Sequence, residues 1–138
     1  MASFNKFYPF VEALSEKVHN LGSDTLKIML SNSAPASTNG VKADITEITP
    51  GNGYTAGGAT VTITASSQTS GTYKLVGDDV VFTATGAVGP FRYAVLYNDT
   101  AASDNLIGWW DYGSSISLAN GETFTVDFDQ VNGILTLT

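Results

Sequence analysis

The first part of the chain carries apolar residues at helical spacing. They recur every three or four positions from Phe4 to Leu21, with polar residues between them, as in a helix with one buried side. Because proline is tolerated only in a first turn, we expect the helix to begin near Tyr8 or Pro9 and Gly22 to close it. A short helix is marginal alone, so its apolar stripe is predicted to pack against the domain or a partner: Val11, Leu14 and Val18.

Beyond Thr25 the pattern changes to the two-residue alternation of half-buried β-strands. Two later segments, 91–97 and 106–112, are apolar on both faces, which is typical of strands at the centre of a fold. Turn sequences at Gly77–Asp79 and Asn120–Gly121 predict hairpins between the strands that flank them. About eight strands at regular spacing predict a mainly β domain, an antiparallel β-sandwich or jelly-roll-like fold.

Composition agrees with one β domain. The chain has 138 residues, enough for a single hydrophobic core, and its low charge content of 14% suits strands and turns better than long helices. We therefore divide it into an arm and helix, residues 1–22, and a β-sandwich domain, residues 23–138, within a single globular unit.

Charge narrows the choice of partner. Six Lys and Arg against thirteen Asp and Glu give a net charge of −7, and the basic residues are scattered singly, so nucleic acid is not an expected partner. No apolar run is long enough for a membrane span and no cleaved leader is recognisable, which predicts a cytoplasmic site of synthesis and no membrane partner. An acidic surface suits a basic protein partner or serves solubility alone.

Candidate chemistry is sparse. Without cysteine, thiolate zinc sites and cysteine nucleophiles are excluded, and the single histidine, His19, is better explained as a capping or surface residue than as a catalyst. The carboxylates sit mostly in predicted turns and suggest no catalytic pair. A calcium site near Asp99 and Asp104 is a minor alternative, so we expect no enzyme activity, no cofactor and no metal.

The densest aromatic group surrounds Trp109 and Trp110, whose side chains must face opposite sides of a regular strand. One of them is expected in the core, whereas the other is either exposed or covered by a second layer. An exposed indole is able to stack on a sugar ring or to anchor a protein interface.

Three stretches also carry a resemblance to known proteins: Phe4–Gly22 (FNKFYPFVEALSEKVHNLG), Asp44–Ile48 with Gly51–Gly58 (DITEI and GNGYTAGG), and Gly89–Asp99 with Gly108–Tyr112 (GPFRYAVLYND and GWWDY). They resemble a family of small virion structural proteins of tailed bacteriophages and prophages. The resemblance covers nearly the whole chain but brings no catalytic motif.

The resemblance implies a virion protein, most simply a capsid decoration or cement protein that binds the major capsid protein, copies of itself, or both, as a homo-oligomer in the virion. Two alternatives stay open: a tail adaptor or receptor-binding component, and a carbohydrate-binding β-sandwich module. Aromatic rings near the start of the chain and on the tryptophan strand are the candidate interface residues: Phe4, Phe7, Tyr8 and Trp109. The loop between Ser31 and Lys42 is the alternative interface.

Overall fold

The computed structural model describes residues 2–138. Within that range, ten strands form three antiparallel sheets beside one α-helix, which confirms the mainly β class and raises the strand count from about eight. The helix α1 spans Tyr8–Ser15. The strands are β1 (Asn5–Lys6), β2 (Leu26–Ser31), β3 (Ala59–Thr60), β4 (Ile63–Thr69), β5 (Thr72–Gly77), β6 (Val80–Thr83), β7 (Val88–Asn98), β8 (Leu106–Leu118), β9 (Thr123–Val126) and β10 (Leu135–Leu137).

The two segments predicted to be apolar on both faces pair with each other. Strands β7 and β8 are neighbours in a five-stranded sheet of order β1-β8-β7-β2-β3. Val95, Leu96 and Ile107 on these strands are fully buried. This part of the prediction is confirmed: a strand with consecutive buried residues needs cover on both faces, and residues 94–98 of β7 and 106–108 of β8 have it.

The two predicted hairpins at Gly77–Asp79 and Asn120–Gly121 are wrong. Strand β5 already has β4 and β10 on its two sides, while β6 pairs with β9 in a separate two-stranded sheet. The chain therefore crosses between sheets at both turns. At the second crossing, the Gly121 N–H donates to the Ala84 carbonyl at 2.8 Å, a contact outside the expected hairpin. Local turn chemistry marks a change of direction without fixing the next strand partner.

The helix ends earlier than predicted. Lys17 has a φ of 69°, a left-handed conformation. Around it, the Val18 N–H bonds the Ala13 carbonyl at 2.9 Å and the Lys17 N–H bonds the Leu14 carbonyl at 3.4 Å. These two bonds are the Schellman pattern that satisfies the last carbonyls of a helix. Lys17 occupies the position usually taken by glycine, so Gly22 does not close the helix.

The inward side of the helix also differs from the predicted stripe. Phe10 and Ala13 point into the core, Leu14 packs against it in part, and Val11 and Val18 are 48% and 39% exposed. Val11 and Val18 therefore do not pack against the domain, and the alternative, packing against a partner, stays a prediction. The large Phe10 ring takes the inward position, and the early helix end removes Val18 from the helix altogether.

The N-terminal arm folds back on its own domain. Strand β1 pairs with β8, placing Asn5 opposite Trp109. Phe7 is completely buried and its ring lies 4.5 Å from that of Trp109. Phe7 therefore belongs to the core of this chain and does not form an accessible interface. Arm, helix and sheets share one hydrophobic cluster, so the expected single globular unit has no separate arm module.

His19 is buried, not on the surface as predicted, with 5% of its area exposed. The Asn98 side-chain oxygen accepts the Thr100 and Ala101 N–H groups at 2.9 and 3.2 Å. The Asn98 amide nitrogen therefore donates to Asp24 Oδ2 at 2.7 Å and to His19 Nδ1 at 3.0 Å. Nδ1 must accept, which places the proton on Nε2. Nε2 has no partner among the described residues.

Substitutions on the inward and outward sides of the helix test which side is packed. We expect Phe10→Ala to lower the free energy of unfolding by about 3 to 5 kcal/mol, because it opens a cavity beneath a ring that is 2% exposed. The neighbouring Val11→Ala is the matched control and is expected to change it by less than about 0.5 kcal/mol. Urea denaturation of both variants measures the difference. Equal losses would show that Val11, too, is packed.

Acid should weaken the fold through His19. Desolvation lowers its pKa from 6.5, and nearby Asp24 opposes that shift only in part. The unfolded chain therefore takes up a proton that the folded chain resists. The free energy of unfolding therefore loses nothing to His19 above pH 6.5. Below that value it falls as the pH falls, with a limiting slope of about 1.4 kcal/mol per pH unit. Urea titrations at several pH values measure the free energy of unfolding of the wild type and of His19→Gln. Plotted against pH, the two should differ in slope between pH 6.5 and the lowered pKa of His19. Parallel plots would contradict the role of His19.

Candidate functional site

An open aromatic cleft of about 160 Å³ lies beside the uncovered side of β9. One face of the β7–β8 pair forms its floor, and β9 with the next residue, Asp127, forms its wall. We call it the aromatic cleft and define it by Arg92, Ala94, Trp110, Tyr112 and residues 124–127, with Ala2 at one border.

Strand β8 bulges beside the cleft. Phe91 lies opposite Ile116 and Tyr93 lies opposite Asp111, so two steps along β7 correspond to five along β8. Gly113, with a φ of 100°, supplies the left-handed backbone conformation within this bulge. Tyr112, just before Gly113, lies on the same face as Trp110, is 58% exposed and meets the Phe124 ring edge-on at 5.5 Å.

An ion pair and a backbone hydrogen bond hold the bulge in place. The Arg92 guanidinium donates two hydrogen bonds to the Asp111 carboxylate, at 2.8 and 3.0 Å. The same carboxylate accepts the Gly113 N–H at 2.8 Å. The Arg92 hydrogen bond, followed by the Gly113 N–H, lowers the pKa of Asp111. The pair is solvent-exposed and contributes orientation rather than much stability.

The two tryptophans contact different parts of the molecule, but neither is fully exposed. Trp109 packs on Phe7, whereas Trp110 lies 5.3 Å from Phe4 and 5.5 Å from Phe128. Trp110 lines the cleft and Trp109 does not, and the role of Trp109 as an interface residue stays a prediction. Tyr112, which also lines the cleft, was not among the predicted interface residues; the glycine that follows it within an apolar strand was the available signal.

A second apolar surface lies on the outer side of the helix and beyond its end. Tyr8 is 65% exposed, and Val11 and Val18 are exposed as well. We call these three residues the outer helix row. Of the predicted interface residues, Tyr8 alone is largely exposed, Phe4 and Trp109 are half-buried, and Phe7 is buried.

The glycine-rich segment, residues 51–58, has a structural function. The buried Tyr54 hydroxyl accepts the Leu30 N–H at 3.0 Å and donates to Glu47 Oε1 at 2.7 Å. Glu47 Oε1 also accepts the Gly57 N–H at 2.6 Å. Burial is the main cause that raises the pKa of Tyr54, so its hydroxyl stays protonated. These contacts fasten the loop to β2.

The calcium alternative gains no support from the described residues. Asp99 pairs with Lys27 at 3.2 Å, and residues 2–138 contain no group of three acidic or imidazole side chains spaced for a metal ion. No helix in the described range is long and apolar enough to cross a bilayer.

Comparisons with protein-family models, with curated proteins and with solved structures found no match. The similarity to phage virion proteins therefore rests on the three sequence stretches and stays a prediction.

Metal removal should leave the protein unchanged. We expect EDTA treatment, and subsequent addition of calcium, to produce the same melting temperature as untreated protein, because the Asp99 carboxylate already has a cation beside it. Differential scanning calorimetry is the measurement. A lower melting temperature after EDTA that calcium restores would reverse this expectation, and Asp99 and Asp104 would be the first residues to replace.

Proposed function

We propose that this chain is a structural protein of a tailed-phage virion, most simply a capsid decoration or cement protein. It attaches to the shell through non-covalent contacts and stabilises it as a repeated subunit. The sequence resemblance supplies the viral context. Contacts between the five-stranded sheet and β9, such as Phe91 on Phe124 at 4.9 Å, support a sandwich-like arrangement suited to a rigid attached module.

The observation that carries the proposal is the outer helix row. Tyr8 and Val11 remain exposed although the same short helix buries Phe10 and Ala13. A helix that serves only its own fold carries polar residues on its outer side. Grouped apolar side chains there indicate a surface that another protein covers.

The row is held in a fixed position before any partner arrives. Buried Phe7 anchors the chain immediately before Tyr8, and the Tyr8 N–H bonds the Ser37 carbonyl at 2.8 Å. This bond also places the row beside the 31–42 loop, the alternative interface. A preformed surface loses little conformational entropy on binding, which suits a subunit that must occupy many equivalent sites.

Charge favours a shell with basic surface patches. The net charge of −7 opposes close packing of acidic subunits against one another, whereas it steers them toward positive regions of a larger assembly. The major capsid protein is thus the preferred partner, and contacts between copies are secondary.

A carbohydrate-binding module is the second candidate, and one observation favours it. Tyr112 is exposed beside Trp110 in an open cleft, the type of aromatic platform on which sugar rings stack. Receptor binding by a tail component would use the same chemistry. The two locations differ in copy number, which separates shell from tail.

Quantitative mass spectrometry of purified particles tests the location. A decoration protein should approach the major capsid protein in abundance, with hundreds of copies on a shell, because it occupies a repeated lattice site. A dozen copies or fewer would place the protein in the tail and overturn the shell proposal. Its absence from particles would overturn the virion proposal as a whole.

The outer helix row should be required for attachment. We expect the double variant Tyr8→Ser with Val11→Ser to keep its fold, since both side chains are exposed, but to lose at least about tenfold in affinity for particles depleted of the protein. Val81→Ser with Val131→Ser, which also removes two exposed apolar side chains, is the matched control. Sedimentation with particles measures both. Equal binding by the two double variants would show that attachment uses another surface.

A further inference from the structure

Strand β9 presents an unpaired backbone edge to the aromatic cleft. It pairs with β6 on one side, and in the described part of the chain it has no strand on the other. Four consecutive residues, 124–127, line the cleft. Because successive side chains alternate between the two faces of a strand, lining by consecutive residues means that the edge itself borders the cleft.

The other strands contribute their faces. Arg92 and Ala94 lie two residues apart on β7, as do Trp110 and Tyr112 on β8, so each pair projects from one side of the sheet. The result is an apolar floor next to an open row of backbone donors and acceptors. This combination serves an added strand: backbone groups bind along the edge, and alternate side chains rest on the floor.

The β9 edge lacks the usual protection against such pairing. Its sequence, Thr-Phe-Thr-Val, contains no proline and no charge. Strand β4 is also an edge, but after Ile63 its side chains are exposed and, except for Ala65, polar, so it offers no apolar floor for a partner. Strands β1, β3, β6 and β10 are likewise open on one side within residues 2–138, but none of them lines the aromatic cleft.

Charge decides between a second copy and a different partner. Asp127 is exposed at the end of β9 and has no side-chain hydrogen bond or ion pair among the described residues, whereas Arg92 is already neutralised by Asp111. Together with a net charge of −7, this favours a basic segment over another copy of the same acidic chain.

We propose that the aromatic cleft is a docking site for an extended basic segment of a partner protein, which adds to β9 as a strand and places a Lys or Arg at Asp127. That this partner is a shell protein rests on the proposed function; the docking mode does not. The site is separate from the outer helix row, so each surface can be tested with the other intact.

A short synthetic peptide provides the probe. The peptide Lys-Thr-Val-Thr-Val-Thr-Lys has alternating apolar residues and basic ends, and it is added to isotope-labelled full-length protein. We expect NMR shift changes at Trp110, Tyr112 and β9, together with slower hydrogen exchange of the outward β9 amides. An analogue with N-methylated backbone amides should lose at least about tenfold in affinity, because it cannot complete the ladder.

Matched variants locate the contacts. Tyr112→Ser and Asp127→Lys should each weaken peptide binding by about tenfold. Val131→Ser and Asp78→Lys remove an exposed apolar side chain and an exposed carboxylate elsewhere, and they should bind as the wild type does. Melting temperatures show whether all four variants fold. If Tyr112→Ser unfolds, the N-methylated peptide and Asp127→Lys still test the docking proposal.

Three results would overturn the proposal: equal binding of the N-methylated peptide, shift changes confined to the outer helix row, or no binding of the basic peptide. Binding of chitohexaose at Tyr112 without binding of the peptide would instead establish a sugar platform. Because the experiment uses isolated protein, failure here leaves the particle experiments unaffected, and loss of particle binding by the Tyr8 and Val11 double variant leaves the cleft result unaffected.

Discussion

The pairing of β7 with β8 is the constraint on which the rest of the molecule depends. Consecutive residues are buried at 94–98 of β7 and 106–108 of β8, so the chain must supply a layer on each side of this part of the pair. The arm pairs with the start of β8 and inserts Phe7 into the core, while the sheets containing β5 and β9 cover other apolar residues.

The same strand pair supplies the floor of the cleft. Trp110 and Tyr112 lie two residues apart on β8 and share a face with Arg92 and Ala94 of β7. The ladder is then interrupted by the bulge before Ile116, where the Arg92–Asp111 pair and the Gly113 N–H hold the backbone. An aromatic surface thus lies beside a local loss of strand pairing, a pattern common where sheets contact other molecules.

The two apolar surfaces differ in what they offer a partner. The outer helix row presents side chains alone, and the proposed contact with a shell would rest on them. The aromatic cleft adds an open backbone edge, along which we propose that an extended segment binds. Side chains alone provide contact area, whereas a backbone edge also provides directional hydrogen bonds.

The sequence by itself determined the β class, the helix start and the two central strands, because hydrophobic periodicity depends on local geometry. It also placed the densest aromatic group around the tryptophan strand. The strand partners of β5 and β9, the burial of His19 and Phe7, and the exposure of Tyr112 beside a half-buried Trp109 were decided by tertiary structure. Each depends on residues distant in the chain: a strand edge is open or closed, and a ring is covered or exposed, only once the other sheets have taken their places.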